Sequence, residues 1–329
     1  MKVLVSGGAG FLGSHLCDLL LQEGHEVIAL DNFITGRREN LVHLEGEERF
    51  ILQEGDLCRA PLPEVDAIFH LASPASPVGY GRYPVETMLV NSQGTHRLLE
   101  LAHTRGALFL LASTSEVYGD PLEHPQGEGY WGNVDPVGPR SCYDESKRFA
   151  EALTMVYHRV HGVNARIVRI FNCYGPRSAP DDGRLIPNFV TQALRGQPIT
   201  VYGDGRQTRS LCYVSDLAQG LRLAMFRPRS RGQIFNLGNP DERPVLEYAR
   251  LVKEITGTAS AIVHVDQRPG EIARRCPDIS RARSQLGWSP VAPLEEGLRA
   301  TIDWFRDLLG VPSAPPIERW QRQRRPDAV

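Results

Sequence analysis

Lysine is scarce in this chain: Lys2, Lys147 and Lys253 are the only ones, and every other basic side chain is arginine. No apolar run approaches the roughly 20 residues that a membrane span needs, so no membrane association is expected. Excess charge of one sign is missing too. The formal net charge of -2 gives no electrostatic case for nucleic acid or an anionic membrane as partner. The six cysteines (17, 58, 142, 173, 212 and 276) include no Cys-x-x-Cys, and no histidine pair has metal-ligand spacing. They read as reduced, mostly buried thiols, with neither a disulfide framework nor a metal site. No internal repeat is visible. Met1-Lys2-Val3-Leu4-Val5 runs directly into a strand with no signal peptide ahead of it, and a cytoplasmic protein is expected.

What the chain does have is 329 residues of ordinary globular composition and an alternating strand–helix pattern through its first half. Val3-Leu4-Val5 leads into Gly7-Gly8-Ala9-Gly10-Phe11-Leu12-Gly13. Glycines at 7, 10 and 13 permit a tight turn, close approach of the backbone to a pyrophosphate, and close helix-on-strand packing. A second strand, Val27–Leu30, ends in Asp31, where a carboxylate can accept from the adenosine ribose 2′-OH and repel a 2′-phosphate. NAD is therefore favoured over NADP, with Arg37 and Arg38 close by in the opposite sense. As a plain helix cap, Asp31 would carry no such meaning. Asp56 follows a third strand (50–53) and could reach the adenine amino group. The fourth strand (66–70) runs on as Leu71-Ala72-Ser73-Pro74-Ala75-Ser76-Pro77 beside the expected nicotinamide. His70 reads as a packed strand end, and an amphipathic helix is expected over 84–105 with Asn91 and Thr95 at polar or bridging positions.

The apolar run 107–112 fits a strand buried on both faces and ends in Thr114, Ser115 and Glu116 at its carboxyl edge, where open α/β sheets bind ligands. In the helix that follows, expected over 144–161, Tyr143 and Lys147 are four apart and share a face. An ammonium beside a phenol favours phenolate, which would serve as a general base toward a sugar hydroxyl. The alternative is an ordinary helix-surface pair, against which the rarity of lysine speaks. Between them, the Pro- and Gly-rich stretch 120–140 is of a length usually found in functional loops.

Beyond residue 176 the pattern changes. A helix (185–195) and a strand (199–202) precede the polar turn Gly203-Asp204-Gly205-Arg206-Gln207-Thr208-Arg209. That turn fits either a diphosphate site with Arg209 as anion contact or a solvated hairpin. Val214-Ser215-Asp216 reads as the cap of a helix to about 226, and 234–237 as a last strand returning to the sheet. Helices are expected over 245–256 and 294–308, with the basic cluster Arg268, Arg274 and Arg275 between them. The fold class is thus α/β, a doubly wound parallel sheet with a smaller carboxyl-terminal α/β unit. A dinucleotide domain is expected over 1–175, with 211–241 returning to it. The substrate unit would comprise 176–210 and 242–312, and 313–329 would be a flexible tail.

These residues together resemble the extended short-chain dehydrogenase/reductase family along nearly the whole chain. Long matches such as 31–37, 70–77, 111–121, 130–132, 138–145, 182–184 and 207–209 resemble its UDP-glucuronate-decarboxylating branch. The resemblance implies tightly bound NAD, held by Gly7, Gly10, Phe11, Leu12, Gly13, Asp31, Asn32, Gly36, Asp56, Leu57, Leu71, Ala72, Ser73, Tyr143 and Lys147. It implies catalysis by Thr114, Glu116, Tyr143, Lys147 and Arg275, with Arg274 or Arg268 as alternatives to Arg275. For the UDP-sugar it implies contacts from Pro74, Tyr80, Ser115, Glu116, Asn172, Arg184, Tyr202, Gln207, Arg209 and Arg268. It further implies a homodimer packing helices 91–105 and 143–161 across a two-fold axis. Against the branch's pattern, Glu86 and Leu89 stand where lysines are usual, Ala179 stands where several relatives have arginine, and 267–275 looks longer. Ser115, where dehydratase relatives carry Asp, disfavours dehydration. The competing expectations are a UDP-glucuronate 4-epimerase or another nucleotide-sugar enzyme of the family, and a scaffold that binds NAD without turnover.

Overall fold

The computed structural model describes residues 1–266 and 274–312. In chain order its strands are β1 (Lys2–Ser6), β2 (Glu26–Asp31), β3 (Phe50–Glu54), β4 (Ala67–His70), β5 (Leu108–Thr114), β6 (Ala165–Ile170) and β7 (Cys173–Tyr174). There follow β8 (Ile199–Tyr202), β9 (Thr208–Ser210), β10 (Cys212–Tyr213), β11 (Ile234–Leu237), β12 (Glu242–Pro244), β13 (Ile262–Val265) and β14 (Arg274–Arg275). The helices are α1 (Phe11–Gln22), α2 (Pro77–Arg82), α3 (Pro84–Leu89), α4 (Thr95–Arg105) and α5 (Ser141–His161). The remainder are α6 (Leu185–Leu194), α7 (Val214–Phe226), α8 (Val245–Thr256) and α9 (Leu294–Leu309).

The apolar strands assemble into a seven-stranded sheet in the order β11-β6-β5-β4-β1-β2-β3, and every pairing in it is parallel. Strands this apolar need cover on both faces. One face is covered by α1 and α7 through Leu16, Leu20, Leu217 and Leu221, and the other by α4 and α5 through Leu98, Leu99, Ala150 and Tyr157. Full burial of one such leucine contributes about 1.5–3 kcal/mol. The order reverses between β1 and β4, which opens a crevice beyond their carboxyl ends. The glycine loop after β1, Leu71–Ser73 after β4 and Thr114 at the end of β5 all meet that crevice.

A second hydrophobic cluster joins Ile186, Phe189 and Val190 of α6 to Val201, Tyr248, Val252, Leu298, Ile302 and Phe305. It lies over the carboxyl side of the sheet and roofs the crevice with α6, β8 and β9.

Three local expectations are revised. The single helix over 84–105 is interrupted by a π-type turn at Val90–Gly94. The extra residue turns Asn91 inward, where Nδ2 donates to Thr87 O (2.9 Å), Ser73 Oγ (3.0 Å) and Ser146 Oγ (3.2 Å). Asp216 lies inside the first turn of α7, with Tyr213 at the N-cap, and its carboxylate accepts the amides of Val291 and Ala292 at 3.0 Å each. Residues 203–209 do not form a hairpin: β9 is the middle strand of a small sheet, antiparallel to β12 and parallel to β14. No helix among the described residues is long and apolar enough to cross a membrane. All six cysteines are free thiols, half of them buried.

Candidate active site

The crevice continues under the second cluster as one cavity of about 800 Å³. At its sheet end, Gly7 adopts φ +77°, and its amide donates to Leu30 O at 2.8 Å. A Cβ on Gly13 would stand 2.1 Å from the Gly7 carbonyl oxygen, so the loop cannot accept a side chain there. No side chain caps α1, and its first amides are available to an anion. A pyrophosphate fits this cradle. Asp31 ends β2, where Oδ2 accepts Ala9 N and Oδ1 accepts Phe33 N, both at 2.9 Å. Burial pushes its carboxyl up, and those amides pull it back down. A Cβ on Gly36 would come within 2.6 Å of Asp31 Oδ1, so only glycine fits against the carboxylate there.

Gly7, Gly10, Phe11, Leu12, Gly13, Leu71 and Ser73 line the cavity, whereas Asp31, Asn32, Gly36, Asp56, Leu57, Ala72 and Pro74 are not part of its lining. Asp56 caps the next turn through Cys58 N (2.9 Å). His70 is fully buried between Ser6 Oγ (2.8 Å) and Thr95 Oγ1 (3.0 Å), and burial pushes its pKa down to about 3. It is a packed, uncharged residue, as its position at a strand end suggests.

Thr114 and Tyr143 both line the cavity, close enough for the Thr114 hydroxyl to lower the phenol's pKa. The Tyr80 ring stacks on Tyr143 with centroids 5.2 Å apart and planes 11° from parallel. Lys147 is buried one turn along α5 and donates to Ala112 O at 2.9 Å. The expected lowering of the phenol pKa by this ammonium is not what the structure gives. Burial pushes Tyr143 up to about 12, with the Thr114 hydrogen bond and Arg184 acting against it. The same burial pushes Lys147 down to about 7, with Glu151 opposing. Desolvation disfavours each charged form, and it is the largest influence on both groups.

Beyond Tyr143, Glu116 is held by two guanidiniums: Arg275 donates to Oε1 and Arg140 to Oε2. Burial alone would raise its pKa, but Arg275 and then Arg140 hold the carboxyl below its usual range. Arg275 is itself buried, with further bonds to Gly119 O (2.8 Å) and Ser115 Oγ (3.3 Å). Arg274 points outward to Glu242 (3.4 Å), and Arg268 lies outside the described residues. Asn172, Arg184, Tyr202, Gln207 and Arg209 line the far end, where Gln207 Nε2 donates to Tyr202 O at 2.8 Å. Arg140 and its neighbour Asp144 were not singled out by the sequence; the one available signal was an arginine three residues before the tyrosine.

His124, Glu242 and Cys276 also converge, with ligand atoms within 4.8 Å of one another. There Glu242 already accepts from Thr208 and pairs with His124 (2.9 Å) and Arg274 (3.4 Å).

A pyrophosphate cradle at the switch point of a parallel sheet, with a buried Tyr–Lys pair facing it, defines an oxidoreductase-type dinucleotide enzyme. The chain belongs to the NAD dependent epimerase/dehydratase family, whose model matches residues 3–238. It is 55% identical over 309 residues to UDP-glucuronic acid decarboxylase 1 of Arabidopsis thaliana, covering 94% of this chain and 71% of that one. To UDP-glucuronic acid decarboxylase 3 of the same plant it is 51% identical over 313 residues, covering 95% and 91%. Among solved structures, UDP-glucuronic acid 4-epimerase of Bacillus cereus in complex with UDP-glucuronic acid and NAD superposes with a TM-score of 0.85. It is 31% identical and covers 94% of this chain and 100% of that one.

Proposed function

We propose that the protein converts UDP-glucuronate to UDP-xylose and CO2 with NAD in the glycine cradle. The observation that carries this reading is the Glu116 carboxylate, fixed by Arg140 and Arg275 beside the Thr114–Tyr143 pair in one cavity. It is supported by the decarboxylase relatives at 50% identity and above. Bound NAD supplies the two-electron oxidant for C4 and later returns the same hydride. Tyr143 takes the proton of the C4 hydroxyl as its general base, and Thr114 holds the C4 oxygen. Lys147, buried one turn along α5 from Tyr143, orients the ribose. The 4-keto sugar is a β-keto acid, so the C5–carboxylate bond breaks with its electron pair flowing into the C4 carbonyl. Glu116 and Arg275 serve this step and the protonation of C5 that follows. Asn172, Tyr202, Gln207 and Arg209 would hold the diphosphate end, and Arg184 the region near the phenol.

Incubating the purified protein with UDP-glucuronate and NAD should give UDP-xylose by NMR and one CO2 per sugar. UDP-galacturonate without CO2 would instead make it a 4-epimerase.

The assembly that fits the surface is a homodimer. Val85, Met88 and Leu89 of α3 and Phe149, Val156 and Val160 of α5 are exposed on adjacent helices. Free thiols throughout fit a reducing compartment, and we place the protein in the cytoplasm. A dinucleotide unit over 1–175 with 211–241 and a sugar unit over 176–210 and 242–312 follow the hydrophobic clusters in the main, except that Ile279, Ala282, Leu286 and Trp288 pack with the sheet cluster and Tyr174 and Leu211 with the sugar-side one. The tail from 313 lies outside the described residues.

A further inference from the structure

Glu116 is gripped from two directions, and the two arginines are built differently. Arg275 is anchored independently by Gly119 O and Ser115 Oγ. Arg140 is the N-cap residue of α5, and its carbonyl accepts the amides of both Tyr143 and Asp144 at 3.0 Å. Its Nη2 donates to Glu116, while its Nε is buried without a hydrogen bond, 3.6 Å from Asp144 Oδ2. One residue thus ties the start of the tyrosine's helix to the carboxylate at the end of β5.

We propose that Arg140 is a positioning residue for the decarboxylating half of the cycle, fixing Glu116 in register with Tyr143; this rests on the functional reading above. The two halves make different demands. Oxidation of C4 uses Tyr143, Thr114 and bound NAD, and asks nothing of Glu116. In the second half, the bond from C5 to the carboxylate breaks, CO2 departs and the electron pair forms an enolate across C4 and C5. One solvent-derived proton must then be placed on C5, so each CO2 released consumes one proton. An ionised Glu116 fixed beside the phenol orders that delivery. An arginine clamped on the substrate's own carboxylate would stabilise the charge that has to leave it. Arg140 and Arg275 are instead committed to Glu116, which leaves the departing charge free to move to O4.

The test compares wild type with Arg140→Gln and Arg140→Lys as full-length, NAD-loaded protein. Single turnovers of UDP-glucuronate are followed by NADH absorbance, CO2 release and NMR, with NAD content and Tm as controls. Arg140→Gln should oxidise C4 within about 3-fold of wild type but release CO2 at least about 10-fold more slowly, so that NADH and 4-keto sugar accumulate. Arg140→Lys, a point charge without the planar fork, should recover part of the CO2 rate. Equal slowing of both halves, or no change in either, overturns the proposal. If Arg140→Gln loses NAD or melts early, Arg140→Lys carries the test, and a lack of NADH accumulation there is equally fatal. Wild type that forms no UDP-xylose would overturn the functional reading, and this inference with it.

Discussion

Tyr143 and Lys147 share one face of α5, yet burial moves their ionisation in opposite directions, toward about 12 and about 7. Sequence spacing placed them side by side correctly. It could not show that Lys147 would be sealed under the sheet edge with its Nζ on a backbone carbonyl, since burial depends on distant segments. Tyr143→Phe removes only the proton-transfer oxygen, so kcat should fall by roughly 10²–10⁴ in a steady-state assay of CO2 release. Asp144 offers a stability test. Burial first, and Glu116 second, raise its pKa from 3.8 to about 7, and its Oδ1 has no partner. A carboxyl with a raised native pKa contributes stability that is full below its unfolded value and is lost as pH rises through about 7. Asp144→Asn should therefore raise Tm at about pH 8, with the gain gone by about pH 4, in thermal melts across that range.

At the level of elements, the glycine loop, the seven sheet strands and most of the helices were legible because each is a local pattern. Val3–Val5 and Phe109–Ala112 are continuous apolar runs, and Gly7, Gly10 and Gly13 have a spacing with a mechanical meaning. What was hidden depended on partners far along the chain. The π-type turn at Val90–Gly94 exists because Asn91 finds Ser73 and Ser146, and no periodicity in 84–105 records that. The role of β9 likewise depends on β12 and β14, which follow it by more than thirty residues. Arg275 was separable from Arg274 only once β14 showed one side chain pointing in and its neighbour out. The loop itself gives a sharp prediction. Gly13→Ala forces a methyl against a backbone oxygen, which no rotamer relieves, so the variant should lose NAD and melt at lower temperature in differential scanning fluorimetry.

For the whole molecule, α3 and α5 leave an apolar face outside the core, with Phe149 50% and Val160 69% exposed. On the proposed homodimer, a double Phe149→Glu, Val160→Glu variant should sediment as a monomer and more slowly than the parent; equal sedimentation of the two would count against this face as an interface. The sugar-side cluster has a different consequence. Its Ile186, Phe189, Val190, Ile199 and Val201 precede the last strand of the sheet, while Val245, Tyr248, Leu298 and Phe305, which cover them, come after it. During synthesis the ribosome delivers the first half of this core, then α7 and β11, and only afterwards the cover. For that interval α6 and β8 have an oily face and nothing to lay it against, so the nascent chain is most open to chaperones and to aggregation in the stretch between Leu237 and Phe305.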